Sequence, residues 1–84
     1  MQAIDPISLA YEAMEFKGFS EDKAALYLHH IKEFVFTIEK SMDELTEKDL
    51  KAYFQNLLTK NQLSYKTMDA VNFFFREAAG RYVF

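Results

Sequence analysis

Apolar positions recur along the chain with the 3.6-residue period of an α-helix, in four separate stretches. The first opens at Asp5-Pro6. A carboxylate there caps free amides, and proline suits the first helical position because its missing N–H has no partner to lose. Ile7, Ala10, Tyr11 and Met14 share one face, and Leu9, Ala13 and Phe16 another, so this helix is open to contact from two directions. Gly18 is placed to end it in a left-handed conformation. The second stretch opens at Ser20, with Glu21 and Asp22 in the first turn to complement the helix dipole. Ala24, Tyr27, Leu28, Ile31, Phe34, Val35 and Ile38 form a broad stripe that runs to about Lys40, while Leu26 and Phe36 point away from it.

The third stretch opens at Thr46. Leu50, Tyr53, Phe54, Leu57 and Leu58 share its apolar face, and Asn61 is a fitting stop. Met42 and Leu45, in the loop before it, are expected to tuck into the core. The fourth opens at Ser64. Thr67, Ala70, Val71, Phe74, Phe75 and Ala78 form its buried stripe, with Asp69, Asn72 and Arg76 opposite and Gly80 as the expected end. Connections of a few residues suit neighbouring helices of a bundle. The expectation is one all-α domain over residues 1–84, built as a compact four-helix bundle.

Composition narrows this picture. Two Gly, one Pro and no Asn-Gly or Asp-Gly pair leave little room for hairpins. The absence of Cys removes any disulfide or thiolate-metal scaffold. No apolar run approaches the roughly 18–20 residues that span a bilayer, and the N-terminus is not patterned as a signal peptide. A cytoplasmic protein without membrane partners is the expectation that remains.

The net charge is −3, which argues mildly against a free-standing nucleic-acid binder. The charge is unevenly spread. Residues 1–42 carry four Lys against seven acids, a balance of −3, while residues 55–84 carry Lys60, Lys66, Arg76 and Arg81 against Asp69 and Glu77, a balance of +2. An anion-facing surface is therefore expected to draw on the C-terminal third.

Catalytic patterns are missing. There is no glycine-rich phosphate loop, Gly-x-Ser-x-Gly elbow or His-Glu-x-x-His pair, so no enzyme site and no cofactor are expected. His29 and His30 are the only imidazoles; neighbours on a helix point about 100° apart, which reads against a shared metal ion. Either histidine with Glu33 reads as a surface hydrogen bond. The acidic stretch from Asp43 to Asp49 lacks the ligand alternation and glycine of a calcium loop and reads as solvated. The run Phe73, Phe74 and Phe75 cannot all face one core. Phe73 is expected near the surface, and with Phe36 and Phe84 it would form a contact face for another domain or protomer.

Read in order, these segments resemble the N-terminal core-binding, or SAM-like, domain of tyrosine recombinases and phage integrases, most closely the integron-type integrases. The resemblance rests on Gly18-Phe19-Ser20 between the first two helices, and on Tyr27, Ile31 and Phe34 along the second. It continues through Leu45-Thr46 and Asp49-Leu50 at the start of the third helix, followed by Tyr53-Phe54 and Leu57. It ends with Ser64 and Thr67 opening the fourth and Phe75-Arg76-Glu77 closing it, and it covers about Ser8 to Arg81.

The resemblance implies a DNA-binding domain of a site-specific recombinase, acting in DNA integration and recombination. Such a domain clamps duplex DNA opposite a catalytic domain, which is not in this sequence. None of the tyrosines at 11, 27, 53, 65 and 82 matches the nucleophile of that missing half. Implied partners are double-stranded DNA, the catalytic domain of the same parent chain and other recombinase protomers. The implied DNA contacts are Lys23 and Lys32 on the second helix, with Ser64, Lys66, Thr67, Asn72 and Arg76 on the fourth. The polar sides of these two helices are expected to form one cationic shelf. The rival reading is a small acidic protein–protein interaction module that docks a partner through exposed phenylalanines.

Overall fold

The computed structural model describes residues 5–40 and 44–79, with the side chain of residue 79 left aside. Among these residues lie α1 (Pro6–Phe16), α2 (Glu21–Ile38), α3 (Glu47–Thr59) and α4 (Tyr65–Phe73), which runs directly into a π-helical segment, Phe74–Ala79. No strand occurs among the described residues. Met42, Gly80 and Phe84, expected from the pattern to take part in the core, the helix end and the contact face, lie outside them.

Each helix starts where a side-chain oxygen can take up an amide that the helix leaves unpaired. Asp5 accepts from the Ile7 N–H at 3.0 Å, with Pro6 at the first helical position. Ser20 accepts from the Lys23 N–H, and Ser64 from the Thr67 N–H, both at 3.2 Å. Thr46 and Asp49 form a reciprocal capping box, in which Thr46 Oγ1 accepts from the Asp49 N–H and the Asp49 carboxylate accepts from the Thr46 N–H. Two helix ends share a Schellman geometry. After α1, Gly18 (φ 76°) donates to the Glu15 carbonyl and Phe19 to that of Met14; after α3, Asn61 (φ 59°) donates to Leu58 and Gln62 to Leu57. Both left-handed residues were legible as stops. The α2 terminus was not, because there Glu39 adopts φ 55° without a residue suited to it.

Met14, Ile31, Phe34, Val71 and Phe74 fill the centre. Ala10, Ala13 and Ala70 are equally buried, and their small side chains let α1 and α4 lie close to their neighbours. The most extensive pairing joins α2 to α4, and α1 packs on both α2 and the π-helical segment. Phe34 links three elements, with its ring centroid 5.0 Å from Tyr53 of α3 and 6.0 Å from Phe74. Leu45 packs against the core as expected.

Several positions differ from the sequence pattern. Phe73 is buried rather than surface-lying, and Phe75 is only half-buried. The physical reason is a second aromatic cluster: Phe19, in the α1–α2 turn, and Tyr27 enclose Phe73 with centroids 5.0 and 5.8 Å away. Leu58, Tyr11 and Phe16, assigned to apolar faces, are exposed. Phe36 and Leu26 are exposed, as their positions predicted.

Candidate nucleic-acid interface

The expected DNA-facing residues sit on α2, at the start of α4 and along α4 and its π-helical continuation. Specific contacts join the two helices. His30 meets Thr67 near the start of α4, Asp69 raises the Tyr27 phenol by its charge, and Tyr27 reaches Phe73 near the end. Residues 23, 27 and 30 of α2 therefore line the flank that faces α4.

Ser64 and Thr67 are joined at this seam. The two hydroxyls lie 3.0 Å apart, and Thr67 Oγ1 lies 3.4 Å from His30 Nδ1. Thr67 is buried, with its hydroxyl held between Ser64 and His30, unlike the exposed position expected of a direct DNA contact. Ser64 is exposed beside Lys66, also exposed. Helix N-termini favour anions, and a lysine in the first turn adds a full charge.

Lys23 lies on the same flank, about 10 Å further along α2 by helical rise. Its Nζ stands 4.3 Å above the Phe19 ring and 5.6 Å from that of Tyr27, so two aromatic faces steer the ammonium. Asn72 and Arg76 are exposed on α4 and the π-helical segment. Lys32 does not join this group. It lies two residues beyond His30, about 200° round α2, on the flank turned away from α4. The single shelf expected from sequence is thus divided, and Asp69 and Glu33 add negative charge to the α2–α4 side.

Local charges act on the titratable groups here. His30 is held below the ordinary histidine value, first by burial, then by His29, with Lys66 adding a smaller push and Glu33 opposing. Burial raises the Tyr27 and Tyr53 phenols, helped by Asp69 and Glu33 respectively, so both stay protonated at neutral pH. That is the opposite of what activates a tyrosine nucleophile.

One further pair follows the sequence expectation, and one feature escaped it. His29 Nε2 lies 3.0 Å from Glu33 Oε1, and the two imidazoles are 5.2 Å apart between centroids, closer than diverging neighbours imply. A shallow, largely apolar cleft of about 330 Å³, lined by Lys51, Phe54, Gln55, Leu58 and Leu63, borders α3. The i,i+4 spacing of residues 29 and 33 predicts the first. The exposure of Leu58 depends on tertiary packing and carried no signal.

The family model for the phage integrase, N-terminal SAM-like domain, matches residues 8–83. No curated protein and no solved structure matches the chain.

Proposed function

We propose, from the premise that the chain belongs to the family of phage integrase N-terminal SAM-like domains, that it binds duplex DNA for a tyrosine site-specific recombinase. The family match over residues 8–83 is the observation that carries this reading. The domain is non-catalytic in this account. It clamps the duplex opposite a catalytic domain of the parent protein, which cuts and rejoins the strands, and it works inside the cytoplasm.

The α2–α4 flank supports the reading physically. Ser64 and the α4 N-terminus, with Lys66, form one phosphate contact; Lys23, held by Phe19 and Tyr27, forms another. Asn72 and Arg76 extend the exposed surface. Lys32 is left out because it faces elsewhere. So few cations release few counterions, and Asp69 repels phosphate, so the isolated domain binds weakly and with little sequence selectivity.

Titration of duplex DNA at increasing salt tests this. Binding at low salt that weakens with a shallow logarithmic slope supports it. No binding even at low salt overturns a DNA role for the isolated domain.

A second reading draws on the cleft beside α3, where exposed Leu58 adjoins Phe54 and Leu63, and on exposed Phe36. These apolar surfaces fit contact with another recombinase protomer or a protein partner. Association that persists at high salt would favour it.

A further inference from the structure

His29, His30 and Glu33 are the one His/Cys/Asp/Glu group among the described residues whose ligand atoms come together, all within 4.8 Å of one another. Helix geometry explains the convergence. Glu33 is four residues after His29 and three after His30, and side chains at both spacings meet on a helix surface. The imidazoles diverge from each other at the backbone, yet a ring nitrogen of each lies within 4.8 Å of a Glu33 carboxylate oxygen. His29 Nε2 and Glu33 Oε1 are already 3.0 Å apart. Bonds of about 2.0–2.1 Å in a tetrahedral zinc site put neighbouring ligand atoms roughly 3.3 Å apart, so that edge is in place.

The third ligand is oriented from α4. The Ser64 and Thr67 hydroxyls lie 3.0 Å apart and Thr67 Oγ1 lies 3.4 Å from His30 Nδ1, a chain that the tautomer donating from Nδ1 completes. In that tautomer His30 Nε2 keeps its lone pair, the arrangement that metal-binding histidines adopt when their other nitrogen donates to a protein oxygen.

We propose that His29, His30 and Glu33 form a binding site for a divalent transition-metal ion of the zinc class, with two imidazole nitrogens and one carboxylate as ligands. The remaining coordination position belongs to water. Two nitrogen ligands select against magnesium and calcium, which prefer all-oxygen shells. The charged groups acting there are His29 and Glu33 from α2 and Lys66 from α4. Glu33 supplies the negative charge that offsets Lys66.

Calorimetric titration of the domain with zinc chloride at about pH 7.5, without DNA, tests the site. One saturable ion per chain is expected, with no response to magnesium. H29Q, H30Q and E33Q should each weaken binding about tenfold or more. Far-UV dichroism and melting of each variant without metal verify that it folds; His29 and Glu33 are exposed, so H29Q and E33Q stand as the secure pair. No saturable binding up to about 1 mM zinc overturns the proposal. So does unchanged affinity in folded H29Q and E33Q, which would mean adventitious binding by a lone imidazole.

Discussion

The Lys40 Nζ lies 2.8 Å from Asp49 Oδ1, tying the residue just past the end of α2 to the first turn of α3. The other carboxylate oxygen, Oδ2, accepts from the Thr46 N–H at 3.0 Å. One side chain thus closes the capping box and clamps two helices across the intervening loop. The Lys40 hydrogen bond, then that from the Thr46 backbone, holds the Asp49 carboxyl below the usual aspartate range. A group with a depressed folded value stabilises the fold above its unfolded value, near 3.8, and loses that contribution as pH falls through the folded value. Thermal melting between about pH 2 and 5 should therefore show an acid-dependent loss that is smaller in Asp49→Asn.

Removing the cap hydroxyl tests the other half of the same device. Thr46→Ala should cost about 1 kcal/mol in urea unfolding, the usual loss for a helix cap. An unchanged transition midpoint would mean that Asp49 alone secures the helix start.

His30 gives a separate pH signature. Its folded value is lowered below about 6.5, so the folded state binds fewer protons than the unfolded chain in the window below that value. Stability should rise as pH increases through this window and level off above it, opposite in sign to a histidine gaining a carboxylate partner. Melting of His30→Gln across about pH 5–7.5, in the absence of metal, should give a flatter profile.

Two phenylalanines separate core from surface. Phe73 is buried against Phe19 and Tyr27, while Phe36 is 69% exposed. Phe73→Ala should cost about 3–5 kcal/mol. Phe36→Ala should stay within about 0.5 kcal/mol. Equal costs in urea denaturation would contradict the packing.

The divided cation arrangement makes the DNA surface testable by position. Lys66→Ala should weaken duplex binding and reduce the salt slope by about 1. Lys32→Ala, on the other flank of α2, should leave both unchanged. The reverse result would move the interface to that flank.

Much of the fold was readable because its determinants are local. Asp5, Ser20, Thr46 and Ser64 each cap within three residues of their own position, and Gly18, which has no side chain, and Asn61 adopt left-handed conformations suited to them. The sequence pattern failed where partners come from afar. Phe73 is buried by Phe19 and Tyr27, at least 46 residues away, which no helical period on α4 encodes. The division of the cationic surface follows from which flank of α2 receives α4, again a tertiary choice. The convergence of His29, His30 and Glu33 was obscured for another reason. Angular spacing treats each histidine as a fixed vector, whereas long side chains bend toward a shared carboxylate one turn on.

The change from α to π winding at Phe74 bears on how the C-terminal end could be re-engineered. A π turn accommodates one residue more than the α turn it replaces. Along this segment Phe74 and Ala78 lie inward, and Glu77 reaches Lys17 at 3.5 Å, beyond the end of α1. Shortening this wide coil by a single residue would let tighter winding continue with the flanking contacts still in phase. An added residue would have no such slack to enter and would swing the last aromatic and acidic positions out of step with the first helix.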